Sequence, residues 1–220
     1  MEGFSIFALN QGEVCTCPSR ALVQEKVFGQ FMGRAVERVK KMVIGNPLDP
    51  RTTVGAQASN DQFEKILSYI DIGKREEAAK VMTGGVRAEL SGDLSSGYYI
   101  QPTIFQGNNE MRILQKEIFG PVVSTRASRI STTRSRSRTT RCMAWTPACG
   151  PVMATSRIRG RAIEAGRVWP NCYHLYPAHA EFGGYKNSGI GRENHKMMLS
   201  HDQQTKNLLV SYSPKATGFF

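Results

Sequence analysis

One stripe of apolar residues constrains this chain more than any other feature. Positions 27, 28, 31, 32, 35, 36, 39, 42 and 43 are all apolar. They recur at the 3.6-residue period of an amphipathic helix, and Gly45-Asn46-Pro47 stops it. A helix with one apolar face must bury that face against a second layer. Ser59, with Gln62 three places on, is placed to cap a second helix, whose stripe is Phe63, Ile66, Leu67 and Ile70. That helix is expected to end within 72–77. Residues 21–24, 79–82, 98–105 (carrying Pro102) and the apolar close of 116–124 read as extended segments. Residues 84–97 read as turns and 109–115 as one or two helical turns. Strands alternating with patterned helices predict an α/β fold. Further on, 161–166 reads as a helix end and 167–171 as a strand, followed by a glycine-rich loop over 172–191. A short helix around 197–199 and a last strand over 208–212 complete the chain. Residues 1–10 open directly on Phe4, Ile6, Phe7, Ala8 and Leu9 and read as a strand entered partway, as in a cut piece of a larger domain.

The net charge of +11 invites a nucleic-acid role, but its distribution argues otherwise. Residues 125–161 hold nine Arg, no Lys and no acid, and without them the rest of the chain carries only +2. Hydrophobic periodicity vanishes over 125–160. This segment reads as a disordered basic linker, as a phosphate-binding arm with Arg-Ser repeats over 134–138, or as residues translated out of frame. No apolar run approaches the ~18 residues of a membrane-spanning helix, and the first residues lack the pattern of a secretory signal. Five cysteines, at 15, 17, 142, 149 and 172, are odd in number and irregular in spacing, which suits a reducing cytoplasm.

The chemistry centres on 10–20, NQGEVCTCPSR. Gly12, Pro18 and small polar residues make this a tight connection into the strand that follows. A cysteine presented from a loop beside successive backbone amides can be stabilised as a thiolate and used as a nucleophile, and Cys15 is the candidate. By its residue type alone, a lone cysteine such as Cys15 is more often a small buried hydrophobe than a nucleophile. Cys15-x-Cys17 as a metal site would need two further ligands that nothing here supplies. His174 and His179 flank a proline-containing loop, with no acid or cysteine at ligand spacing. Glu117 on its own is a solvated acid, and His195 and His201 sit in a polar helical stretch.

Three motifs stand in order: NQGEVCTCPSR at 10–20, KEIFGPVVS at 116–124 and FGGYKNSGIGRE at 182–193. Together they are very similar to those of the NAD(P)-dependent aldehyde dehydrogenases. From residue 2 to 124, and again from about 161 to 220, the chain resembles the C-terminal catalytic half of that family, nearest to bacterial enzymes oxidising acetaldehyde and similar aliphatic aldehydes. The resemblance implies an incomplete aldehyde dehydrogenase fold lacking the Rossmann cofactor domain. Residues 1–124 would form the catalytic core, 125–160 an aberrant segment, 161–206 the rest of the catalytic domain and 207–220 an oligomerisation tail. It makes Cys15 the nucleophile, its backbone amide an oxyanion donor, Glu117 the acceptor for the nicotinamide ribose hydroxyls of NAD (or NADP), and Phe119 a neighbour of the ring. Cys17 receives no chemical role. The substrate would be an aldehyde, and intact relatives form homo-oligomers.

The family's water-activating glutamate, its oxyanion asparagine and its glycine-containing phosphate turn have no match among these 220 residues, and no G-x-G-x-x-G occurs. The chain alone is therefore expected to be nearly inactive as a dehydrogenase. Losing the helix and strand due after Ser124 is expected to leave the apolar faces of 27–43 and 59–70 without partners. The out-of-frame reading of 125–160 gains from the same resemblance. GC-rich codons for 131–145, read from the last base of the first codon, yield an acidic helix start, an Ala/Ile helix and a Leu-Tyr-Gly-Leu turn. That product is similar to what the family carries after its Glu-x-Phe-Gly-Pro motif. A nucleic-acid-binding protein using the Arg-rich segment is the alternative reading.

Overall fold

Four strands make one mixed sheet, and their pairing decides which loops meet. The computed structural model describes residues 1–76, 79–128, 143–144, 148–149, 163–170, 172–216 and 218. Strands β1 (Arg20–Gln24), β2 (Lys80–Thr83), β3 (Thr103–Gln106) and β4 (Val122–Ser128) lie in the order β1-β4-β3-β2. β1 runs parallel to β4 with Arg20 opposite Ser124, and β4 runs parallel to β3 with Val122 opposite Thr103. β2 closes the far edge antiparallel to β3, with a register shift between Val81 and Thr83.

Helices cover both faces because side chains alternate along the central strands. Ile104 and Val123 point to one face, where they join Phe4, Phe7, Ala8 and Val54. The helix α2 (Glu25–Lys40) adds Met32, Ala35 and Val39 to this cluster. Phe105 and Val122 point to the other and join Phe63, Ile66 and Ile70 of α3 (Asn60–Arg75). Ile100, Met111, Ile113, Leu114 and Ile118 complete that second cluster. Two of these, Ile113 and Leu114, lie on α4 (Arg112–Gln115), a single turn inside the stretch expected to be helical. The apolar faces of α2 and α3 thus find partners within the described residues, which overturns the expectation that they would be left uncovered. Ser59 caps α3 as its sequence position suggests, its hydroxyl accepting from the Gln62 amide at 3.2 Å. α3 ends at Arg75, inside the expected window.

Other expectations need correction. Residues 1–10 are not a strand: α1 (Glu2–Ser5) leads into a 3-10 turn over Ile6–Gly12 that packs Phe4 and Phe7 beneath α2. β4 continues through Thr125, Arg126, Ala127 and Ser128, into the polar stretch. Thr125 is accommodated in the buried strand because its hydroxyl donates to the Phe105 carbonyl at 2.8 Å. Residues 163–166 are irregular rather than a helix end. β5 (Met143–Ala144) pairs with β8 (Tyr185–Lys186), and β6 (Ala148–Cys149) pairs with β7 (Trp169–Pro170). The Arg-Ser repeats of 134–138 and the rest of 129–142 and 150–162 lie outside the described residues, and the three readings of that segment with them. α5 (His195–Asp202) contains the short helix expected near 197–199. The expected strand over 208–212 is absent: the segment pairs with no strand among the described residues, leaving Leu209 91% and Tyr212 93% exposed.

Ile66 is fully buried at the centre of the α3 cluster. Ile66→Ala is expected to lower the unfolding free energy by about 2–5 kcal/mol, and Ser59→Ala by about 1 kcal/mol through the lost cap. Urea denaturation followed by circular dichroism measures both. A loss at Ile66 no larger than that at Ser59 would show that α3 is not part of the core.

Candidate active site

The loops carrying Cys15 and Glu117 each enter a strand of the same parallel pair from the same end. Cys15 precedes β1 and Glu117 precedes β4, so the β1–β4 pairing makes the loops neighbours. The closest approach is backbone on backbone. Gly12 has φ +78, and a Cβ there would lie 2.1 Å from the Gly120 carbonyl carbon. Gly120 in turn presses on α3, where a Cβ would meet Ile66 Cδ1 at 2.4 Å. Glycine is required at both positions, at the first for its backbone angle as well as its size.

The Cys15 loop is braced by polar contacts that leave no trace in sequence spacing. Gln11 Nε2 donates to Glu13 at 2.8 Å, and the Ala58 amide donates to the same carboxylate at 3.2 Å. Gln57 Nε2 donates to the Gln11 carbonyl at 3.3 Å. The loop before β4 is held by α3: Gln62 Nε2 donates to the carbonyls of Ile118 at 3.2 Å and Phe119 at 2.5 Å. This fixes Phe119, whose φ of +60 lies in the left-handed region seldom used by bulky residues.

Cys15 is exposed, while Cys17 is half-buried with its thiol donating to the Ile6 carbonyl at 3.1 Å. The Cys15 pKa is raised above the usual thiol value. Desolvation by the surrounding atoms is the largest cause, its own amide and that of Thr16 pull the other way, and the carboxylates of Glu117 and Glu193 add to the rise. Both amides therefore favour the thiolate, and backbone amides so placed can also donate to an oxyanion. Burial, with the nearby Cys15, pushes Cys17 up to about 12. The two cysteines of Cys15-x-Cys17 are thus held in different environments.

Glu193 closes the third motif, and the structure brings its charge within reach of Cys15. Residues 173–176 also come from far along the chain and lie across the nucleophile loop. Thr16 Oγ1 is 2.9 Å from His174 Nε2 and accepts from the Tyr176 hydroxyl at 3.0 Å, while the Tyr173 hydroxyl donates to the Thr16 carbonyl. The position of His174 was legible as a loop histidine, but its partner was not: the neighbouring Tyr173 stands 157 positions from Thr16. His179 is exposed and stands apart from this cluster. His195 Nδ1 lies 3.0 Å from the Glu181 carboxylate, an ion pair when the imidazole is protonated.

Glu117 is half-buried beside the nucleophile loop and, when ionised, carries only acceptors. That chemistry fits a pair of ribose hydroxyl donors, and partly buried Phe119 offers an apolar neighbour. Such a site can present a thiol, stabilise an oxyanion and hold a diol.

The profile of the aldehyde dehydrogenase family matches residues 3–208. The chain is 61% identical to "Fluoroacetaldehyde dehydrogenase" of Streptantibioticus cattleyicolor and 58% identical to "Acetaldehyde dehydrogenase 2" of Cupriavidus necator. All of this chain is covered in both matches, against 43% of the first relative and 44% of the second. The chain therefore spans less than half the length of these relatives. Among solved structures, betaine aldehyde dehydrogenase from Staphylococcus aureus in complex with NAD+ superposes with a TM-score of 0.90 at 32% identity, covering 100% of this chain and 43% of that one. Among the described residues, no helix is long and apolar enough to cross a membrane.

At pH 8, iodoacetamide is expected to alkylate Cys15 and spare Cys17, whose thiolate would be roughly one in ten thousand there. Removing one like charge in Glu117→Gln lowers the Cys15 pKa, so its alkylation at pH 8 should quicken severalfold. Peptide mapping by mass spectrometry reads both rates; equal labelling of the two cysteines would contradict this geometry.

Proposed function

This chain belongs to the aldehyde dehydrogenase family, and on that premise we propose that it carries the catalytic cysteine and nicotinamide-side loop of an enzyme oxidising an aldehyde to a carboxylic acid. The observation that carries this reading is the exposed thiol of Cys15 within electrostatic reach of the Glu117 carboxylate, on two loops locked together by the Gly12–Gly120 contact. Cys15 is the nucleophile: its thiolate adds to the aldehyde carbon, a C–S bond forms, and the carbonyl oxygen becomes an oxyanion. The backbone amide of Cys15 donates to that oxyanion, an interaction worth about 3 kcal/mol when aimed at the transition state. When bound, NAD (or NADP) supplies the acceptor for the hydride that leaves this thiohemiacetal, so that a thioester remains on Cys15. Water then attacks the thioester carbon and expels the thiolate, giving the carboxylic acid and a proton. Glu117 would hold the ribose hydroxyls by accepting from both, and Phe119 would supply an apolar neighbour for the nicotinamide.

Short aliphatic aldehydes are the proposed substrates, supported by the names of the two relatives. Residues 1–124 and 161–206 would form the catalytic part, in a cytoplasmic protein. Residues 207–220 would be an oligomerisation tail, a role supported by the exposure of Leu208, Leu209 and Tyr212. The Arg-rich segment as a nucleic-acid arm gains no support from the described residues or from the relatives.

Acetaldehyde is expected to protect Cys15 from iodoacetamide in a saturable, reversible manner while leaving exposed Cys172 unprotected. Equal or absent protection at the two thiols would overturn the assignment of Cys15. Aldehyde-dependent NADH formation by the 220-residue chain alone is expected to be negligible, as absorbance at the NADH band would report.

A further inference from the structure

The segment 172–182 has to be held over the nucleophile loop by something, and its own secondary structure does not do it. It is irregular over most of its length, with His174 at φ +55, and most of its residues are exposed. Arg167 supplies the missing hold. Its guanidinium donates to the carbonyls of Leu175 at 3.0 Å, Ala180 at 3.1 Å and Glu181 at 2.6 Å. The same group lies 5.9 Å from the Trp169 ring centroid, 5.7 Å from Tyr176 and 5.3 Å from Phe182. A planar fork with five donors can satisfy diverging carbonyls while its face rests on aromatic rings; an ammonium group cannot do both. Trp169 adds a further tie, its indole N–H donating to the Leu175 carbonyl at 3.0 Å.

The other side of the segment is what touches the reaction centre. Tyr176 and His174 meet the Thr16 hydroxyl, and Tyr173 meets the Thr16 carbonyl. Thr16 itself is buried and adjoins Cys15. We propose that Arg167 is a positioning residue: it clamps 172–182 so that Tyr176 and His174 stay seated on Thr16 and wall one side of the Cys15 thiol from bulk water. The proposal rests on Cys15 being the nucleophile, but it makes a separate claim about what sets that thiol's solvation. Glu117 from the loop before β4 and Glu193 raise the Cys15 pKa, the Cys15 charge in turn raises those of Tyr176 and Cys17, and His174 meets the Thr16 hydroxyl next to it.

The test compares Cys15 alkylation by iodoacetamide across pH in the full chain, its Arg167→Lys, Arg167→Met and Tyr176→Phe variants, and the Arg167→Met/Tyr176→Phe double variant. Cys17, protected by its bonds inside the 3-10 turn, reports whether each variant is folded. Opening the wall should solvate the thiolate, so both Arg167 variants should move the Cys15 midpoint to lower pH and raise its rate severalfold at pH 8. Cys17 should stay protected. Tyr176→Phe should produce the same direction of change, and the double variant should add little to it, since both act through one contact. Unchanged Cys15 kinetics in Arg167→Met overturns the clamp. So does additivity in the double variant, or Cys17 and Cys15 becoming reactive together in Arg167→Lys, which would mean that Arg167 supports the fold as a whole. A wild-type Cys15 that reacts no differently from Cys172, and that aldehyde does not protect, would instead strike down the nucleophile assignment.

Discussion

Two glycines in van der Waals contact set the terms for the site. Gly12 and Gly120 bring one backbone so near another that no side chain fits between them, and Gly120 sits on Ile66 with equal closeness. The Cys15 loop, the loop of Glu117 and helix α3 are therefore stacked against one another. Hydrogen bonds along that stack only refine what the contact already fixes: Glu13 ties the first loop to the Ala58 amide, and Gln62 ties the second to α3. Because protein interiors are packed like solids, a displacement of any one of the three is felt by the other two.

The sheet supplies the larger frame. Parallel pairing of β1 with β4 aligns the preceding loops at one edge, and the alternation of Ile104 with Phe105 and of Val122 with Val123 divides the core into two clusters. Each cluster receives one long helix. The thiol thus lies outside the core but is oriented by it. Partial desolvation and two nearby carboxylates work against ionisation of Cys15, and the amides of Cys15 and Thr16 work for it. The balance leaves a thiol held mostly protonated at rest.

Much of this was legible in the sequence, and the reasons differ by element. The helices α2 and α3 announced themselves because no strand repeats its apolar residues every 3.6 positions, and the Ser59 cap followed from local chemistry. Residues 1–10 misled because consecutive apolar residues suit a strand and a tightly wound helical turn alike; burial of Phe4 and Phe7 under α2 decided the matter. The run over 208–212 looked like a strand because strand propensity is local, whereas a strand exists only with a partner to pair with. Cys15, Glu117 and Phe119 were visible through motifs. Tyr176, Thr16 and Glu193 had no visible role, since contacts spanning more than a hundred positions leave no mark on spacing, and Arg167 had none because its partners are backbone carbonyls, which any residue carries. The side chain of Gln62 was similarly hidden: its place as the third residue of the helix was read, but its reach to Phe119 was not.

That reach has a mechanical side. One carboxamide on α3 carries the carbonyls of both Ile118 and Phe119, and Phe119 rests in a backbone conformation it would leave if released. The helix therefore acts as a mooring post and the amide as a short, stiff line. Any torque that rotated α3 by a fraction of a turn would pull on both carbonyls at once and carry the Phe119 ring with it.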